Sequence, residues 1–347
     1  MKPARLFLGL LTLSFFASAR AQDSVALPKV SVAANVPLIK VAEHRMLEKR
    51  FAPAAVTDGR YLYFIGGQDA SGALLNSIER FDPETGKSEP FARLQTARLW
   101  HRAVVHQGKI FVLGGATPAF RKGSLRSLQP AGRPLSPLVL CDKVETVELA
   151  TGHVGSMPPM PTPRKEFGCV VIGGKIHVLG GQHLYKERSS CTSSVDVLDL
   201  ASGGWAPGVP MLKPVASEAV LVDGPFIIVP GGYDGSAASD EVQIYNPAKG
   251  NWSFLPSLCK ESSAHSVVSF RNHLLLFGNY SHPGELIAYD LATKTSETFT
   301  LQYTPSRHAA AVALAGRIYV AGGKRQIDGI PLDSIQVFAS PPRRAAP

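Results

Sequence analysis

The sequence predicts an all-β fold, a six-bladed β-propeller built from four-stranded blades, and three observations carry that expectation. A β-rich run closes on a glycine pair six times: YLYFIGG (Gly66, Gly67), KIFVLGG (Gly114, Gly115), KIHVLGG (Gly180, Gly181), FIIVPGG (Gly231, Gly232), HLLLFGN (Gly278, Asn279) and RIYVAGG (Gly322, Gly323). The first glycines are spaced 48, 66, 51, 47 and 44 residues apart, a period that belongs to propellers and related arrays. The 347 residues include 32 Gly and 27 Pro, which favours many short strands and turns over long helices.

Each repeat supplies the same elements in the same order. An apolar strand of small residues comes first, as in PAAV, HRAVV, GCVVI, EAVLV, HSVVSF and AAAVAL. A tight turn such as Asp58-Gly59 or Gln107-Gly108 joins it to the strand that ends in glycine, a hairpin signature. A third strand follows and ends in a repeated pattern: SIERFDP, VETVELA, VDVLDLA, VQIYNPA, LIAYDLA and SIQVFAS. Asp82, Asp199, Asn246 and Asp290 are placed to cap the turn after it. A fourth strand begins near Trp205 or Trp252 and leads into a Met/Pro-rich turn. A lone sheet of this kind exposes both faces, whereas six set radially can stack.

These units resemble the kelch family, whose repeat carries a double glycine, a Tyr-Asp-Pro-like turn and a later Trp. The resemblance covers residues 37–340 and implies kelch-type blades, in a form without an accessory oligomerisation domain. It departs from the family pattern at Gly278-Asn279, and only Trp205 and Trp252 retain the later Trp. It also implies that the face bearing the loops between blades binds ligands, and that arginines there meet carboxylates.

The last repeat has three strands and then reaches PPRRAAP, so residues about 36–45, within VPLIKVAEHRMLEKR, are expected to complete its sheet and close the circle. Residues 1–21 read as a cleavable signal peptide: Lys2 and Arg5, an apolar run from Leu6 to Ala19, and a small-x-small site at Ala19-Arg20-Ala21. Cleavage after Ala21 would make the protein secreted or periplasmic. Residues 22–36 are a linker, 37–340 the propeller and 341–347 a tail, and no further run is long enough for a transmembrane segment. The formal charge of +9 favours anionic peptide, protein or glycan partners; an exported chain does not call for nucleic acid.

A meander of four strands places the loops between blades and the loops joining second to third strands on one face, here termed the upper face. Arg50, Arg98 and Arg164 each stand sixteen residues before a repeat glycine, and Arg307 is one residue off that register. Trp100, His101, Arg102, Lys165, Glu166, Phe167, Glu218, His265 and His308 follow these arginines and are expected to ring the channel mouth. Arginine suits a ligand-binding role because its planar fork pairs with carboxylates. The long spacing in repeat two marks an insertion at 116–140, with Arg121, Lys122, Arg126 and Arg133 and no acid, projecting from the same face. This is the profile of a non-catalytic binding module for an anionic peptide, protein or glycan.

The alternative is a carbohydrate-active enzyme, similar to sialic acid mutarotases or to galactose oxidase, with Glu166, Glu218, His101 and His265 as acid/base candidates. The shared register of His101, His265 and Glu218, with His308 one residue earlier, is one that a metal ring would use, but neither a metal nor a cofactor is expected. Cys141, Cys169, Cys191 and Cys259 show no zinc-type spacing. Cys141 and Cys191, each a few residues before a third strand, are the expected disulfide, and Cys169 a buried thiol.

Overall fold

The computed structural model describes residues 38–119, 137–185, 188–217, 219–325 and 328–341. The expected signal peptide, the linker, residues 120–136 of the basic insertion, Glu218 and tail residues 342–347 lie outside the described residues. The rest is all-β.

Six four-stranded antiparallel sheets form the blades. Blade one runs from the inner strand outward through Ala54–Thr57, Leu62–Ile65, Ser77–Asp82 and Lys87–Arg93. Blade two uses Arg102–His106, Lys109–Leu113, Val144–Glu148 and Val154–Met157. Blade three uses Gly168–Ile172, Lys175–Leu179, Val195–Asp199 and Trp205–Pro207. Blade four comprises Leu221–Asp223, Phe226–Pro230, Val242–Asn246 and Asn251–Leu255. Blade five comprises Ser266–Phe270, His273–Phe277, Glu285–Asp290 and Ser296–Thr300. Blade six takes Ala310–Leu314, Arg317–Ala321 and Ser334–Ala339, and borrows its outer strand, Ile39–Arg45, from the start of the propeller.

Each inner strand contacts those of both neighbouring blades, and the contact between blades six and one closes the circle. The apolar core is correspondingly divided into sandwiches between consecutive blades. Leu62, Phe64 and Phe81 of blade one, for example, meet Val312, Tyr319 and Ile335 of blade six. The same alternation of side chains that feeds one sandwich feeds the next from the other face of the sheet, which is why the second strands are nearly all buried.

Closure is made by strand pairing. Ile39–Arg45 runs antiparallel to Ser334–Ala339, with Arg45 opposite Ser334 and a bulge between Lys40 and Ala42. The Met46 amide donates to the Asp333 carbonyl at 2.7 Å, and the Arg45 guanidinium meets the Asp333 carboxylate at 2.8 Å.

The turn residues act as their chemistry suggests. Asp82, Asp199, Asn246 and Asp290 each accept backbone N–H groups two and three residues ahead. The Trp205 and Trp252 indoles reach back to the Pro158 and Val209 carbonyls at 3.1 and 2.9 Å, locking each blade to the one before.

The glycine pairs fasten neighbouring blades as well. The second glycine donates its N–H to a carbonyl in the loop entering the next blade: Gly67 to Arg98, Gly115 to Arg164, Gly181 to Val215, Gly232 to Ser262 and Gly323 to Arg50. The first glycine leaves room for that loop. Gly66 has φ +55°, and a Cβ there would fall 2.8 Å from both the Arg98 carbonyl oxygen and His101 Cε1.

Candidate site at the channel mouth

The loop into each blade fixes three successive positions, sixteen, fourteen and thirteen residues before the first glycine, and each has its own task.

The first position holds Arg50, Arg98 and Arg164, and the structure corrects their expected role. All three have zero exposure. Arg98 donates to the Gly114 carbonyl at 3.2 Å, to the Lys143 carbonyl at 3.0 Å and to the Glu145 carboxylate. Arg50 reaches Gly66 O at 2.8 Å and Glu79, and Arg164 reaches Gly180 O at 3.0 Å and Asp196 at 2.5 Å. These guanidiniums are clamps between the loop and the blade it enters, turned away from solvent. The acids serve the loop too: Glu145 accepts the Gln95 and Thr96 amides, and Glu79 those of Leu47 and Glu48.

The remaining blades show the same joint in neutral form. Val215 replaces the arginine in blade four, and in place of the acid stands Gln243, which accepts from Lys213 N at 3.1 Å and donates to Lys213 O at 3.3 Å. In blade six Ser306 bonds Gly322 O at 2.9 Å while Gln336 pairs with both backbone groups of Thr304. Ser262 stands at the position in blade five, where the third strand carries Ile287. A carboxylate is present only where the cation is, because a buried charge without its partner is costly.

At the second position lie Ala52, Trp100, Glu166, Ser217, Ala264 and His308, all non-glycine residues with φ between +50° and +57°. The sequence carries no sign of this ring, since the six share no side-chain chemistry. The left-handed turn aims their backbone groups around the axis. Glu166 N donates to Trp100 O, Ser217 N to Glu166 O, Ala264 N to Ser217 O and His308 N to Ala264 O, at 2.8–3.0 Å. A belt of main-chain bonds thus ties blades two to six. Among the described residues no such bond reaches Ala52; there Phe51 packs edge-on to both Trp100 and His308, with ring centroids 6.1 and 5.2 Å away.

The third position includes His101, Phe167 and His265, which face the preceding blade and not the mouth. Each lies against that blade's first glycine: His101 on Gly66, Phe167 on Gly114 and His265 on Gly231. Exposures of 0% for His101 and 4% for His265 remove both from contact with a ligand in solvent, as metal ligands or as acid/base groups. Burial, with the nearby Arg98 and Arg102, holds His101 well below the usual imidazole range, and burial pushes His265 down to about 4.

What remains at the mouth is cationic and aromatic. Lys165 Nζ lies 4.4 Å from the Trp100 ring centroid, Arg307 4.3 Å from that of Tyr280 and Lys324 Nζ 5.3 Å from that of Phe51. None of these three cations has a carboxylate partner among the described residues. Burial and then Arg102, Arg307 and Lys165 push the His308 imidazole down to about 3, so this histidine is neutral amid positive charge. Arg102 also acts on His101, Cys169 and His265, groups of three different blades, which places its charge near the axis. The carboxylate of the belt, Glu166, is buried and accepts from the Ser217 hydroxyl at 2.6 Å. No group of three or more His, Cys, Asp or Glu side chains could hold a metal among the described residues.

No disulfide joins Cys141 to Cys191. The two are out of register: Cys141 N bonds Gly115 O, and the residue doing the same in blade three is Thr192, bonded to Gly181 O. Cys191 points its thiol to the Tyr233 carbonyl of blade four at 3.4 Å. Cys169 is buried in an inner strand, as expected, and burial pushes its thiol up to about 12. No helix among the described residues is long and apolar enough to cross a membrane.

Comparison with known proteins agrees with the architecture. The Kelch motif matches residues 49–95, 163–212 and 221–258. Human Kelch-like protein 25 is 26% identical over 202 residues, covering 53% of this chain and 33% of that protein. Kelch-like protein terF of Aspergillus terreus is 25% identical over 246 residues, 65% of this chain and 50% of that protein. Kelch repeat and BTB domain-containing protein 12 of Danio rerio is 28% identical over 208 residues, 56% and 32%. The matched regions therefore span 32–50% of these relatives.

Proposed function

Because the chain is a kelch-repeat propeller, and such repeats generally serve as protein-interaction modules, we propose that its upper face binds an acidic segment of a partner protein. The observation that supports this reading is the arc of Lys165, Lys324 and Arg307, three cations resting on aromatic rings with no carboxylate partner among the described residues. Like charges around one mouth repel, and an anion relieves that repulsion. Glutamate or aspartate side chains supply acceptors for these donors. On this reading the first 21 residues direct export and the mature chain begins at Gln22, so the partner is met outside the cytoplasm.

The test is binding of a fluorescein-labelled hexaglutamate peptide to the purified protein. Binding should weaken steeply with added salt, and Lys165→Ala/Lys324→Ala/Arg307→Ala should lower affinity at least tenfold without shifting the unfolding midpoint by more than a few degrees. Affinity indifferent to salt and to the triple variant, or preference for an acidic glycan over the peptide, would overturn the proposal.

A further inference from the structure

The main-chain belt around the mouth is open in one sector. Six second positions make six joints, and four of these carry an N–H···O bond; the two that flank Ala52 do not. On the pattern of the other blades, Ala52 N would donate to His308 O and Trp100 N to Ala52 O. Among the described residues neither bond is made, and neither amide has another acceptor.

The donors left over are shielded from bulk water. Ala52 is 6% exposed, and a buried main-chain N–H without an acceptor forfeits a hydrogen bond that folded chains nearly always make. Trp100 adds a third donor: its indole Nε1 is buried without a partner, whereas the indoles of Trp205 and Trp252 are both bonded. The charge around the opening has one sign. Lys165 lies over the Trp100 ring, and Lys324 over the ring of Phe51, the residue before Ala52. Phe51 in turn packs against Trp100 and His308, which stand on the two sides of the opening. The one carboxylate of the belt, Glu166, is engaged with the Ser217 hydroxyl on the far side of Trp100. Unpaired N–H groups in a positive field call for an acceptor that carries negative charge, and Ala52 presents only a methyl group there.

We propose that the open sector of the belt seats a carboxylate of the acidic partner, with the main-chain N–H groups of Ala52 and Trp100 donating to it and Lys165 and Lys324 at its sides. This rests on the reading of the upper face given above. It adds that the seat is off-axis, at blade one, and that its hydrogen bonds come from main-chain groups, while Arg307 beside His308 contributes longer-range attraction.

The test uses hexaglutamate and protein labelled with ¹⁵N only at tryptophan, of which the chain has three. The pair of signals missing from the Trp100→Phe spectrum identifies the Trp100 amide and indole. Hexaglutamate should move both and slow the exchange of the Trp100 amide with solvent about tenfold, leaving the signals of Trp205 and Trp252 in place. In parallel, Ala52→Asp puts a carboxylate into the opening and is compared with Ala264→Asp, an equal change of charge at φ +57° where both belt bonds are made. Aspartate tolerates the left-handed turn at either position. Ala52→Asp should weaken hexaglutamate binding about tenfold or more and Ala264→Asp less than about threefold. Should Ala52→Asp fail to fold, the spectra of the native protein decide. Bound hexaglutamate that leaves both Trp100 signals unmoved, or equal losses for the two aspartate variants, overturns the seat alone. Absence of hexaglutamate binding to the native protein overturns the reading of the upper face and this inference with it.

Discussion

Replacing Arg98 with alanine should destabilise the propeller by about 3–5 kcal/mol, the range for removing one partner of a buried ion pair. The guanidinium has zero exposure, and its loss leaves Glu145, itself only 2% exposed, with a charge in the interior. Two loop amides, Gln95 N at 2.6 Å and Thr96 N at 3.2 Å, would still hold that carboxylate, but they are neutral donors and do not replace the lost guanidinium charge. The Gly114 and Lys143 carbonyls would lose a donor as well. Blade four shows how to repair the joint. Arg98→Val combined with Glu145→Gln reproduces the Val215/Gln243 pair, and the introduced glutamine can bridge the N–H and C=O of Thr96 as Gln243 bridges those of Lys213. The double variant should lie within about 2 kcal/mol of the native protein, so the two changes should be strongly non-additive. Urea unfolding followed by tryptophan fluorescence gives the four stabilities needed for the cycle. A loss of less than about 1 kcal/mol for Arg98→Ala, or a double variant as unstable as the sum of its parts, would show that the clamp does not act through charge compensation.

Three further outcomes are expected. Removing residues up to Arg45 should leave the third strand of blade six without its outer neighbour, giving an insoluble or much less stable protein; an unchanged melting temperature would contradict strand-mediated closure. Stability should fall as pH drops from about 6.5 towards 4, because the unfolded chain takes up a proton on His265 near its ordinary value while the folded one does not until about 4. That difference corresponds to about 3 kcal/mol at the low end of the window, and His265→Phe, which copies Phe167 of blade three, should remove that share of the slope while the shares of His101 and His308 persist; an unaltered pH dependence would assign it to other groups. Gly114→Ala should be strongly destabilising, since its φ is +59° and a Cβ would lie 2.7 Å from the Phe167 ring and 2.9 Å from the Arg164 carbonyl oxygen; a change in unfolding midpoint within error would refute that crowding.

The blade register was legible because the glycine pairs mark a backbone need that side chains cannot meet, and the needed outer strand of blade six could be inferred from a missing neighbour. The role of the arginines was not legible from their spacing. Their partners Glu79, Glu145 and Asp196 follow the first glycines by 13, 31 and 16 residues, because the loop between them varies in length. Only the pairing of third strands to second strands aligns these acids with Gln243, Ile287 and Gln336, and with that alignment the charge compensation becomes plain. The cysteines stand one residue apart in register, since the residue equivalent to Cys141 in blade three is Thr192. At the mouth, the belt depends on a left-handed backbone turn at Ala52, Trp100, Glu166, Ser217, Ala264 and His308, and no shared side chain announces it. The cations that remain available, Lys165, Arg307 and Lys324, differ from the buried ones in having aromatic rings beneath them, a distinction made only by tertiary packing.

Closure by the first strand also sets an order of events during biosynthesis. Arg45 and Asp333, which meet across the seam, are 288 residues apart in the chain. At ordinary elongation rates of about 5–20 residues per second, the segment around Arg45 waits roughly 15–60 s before its partner strand exists. Throughout that interval Ile39 and Val41, still 43% and 44% exposed in the finished ring, form part of an unpaired β-segment that any neighbouring edge could capture. Holding the segment apart until synthesis is complete would therefore guard against premature pairing, and a chain that stops short of Ser334 would never find a partner for it. The seam makes an intact far end the condition for a folded beginning.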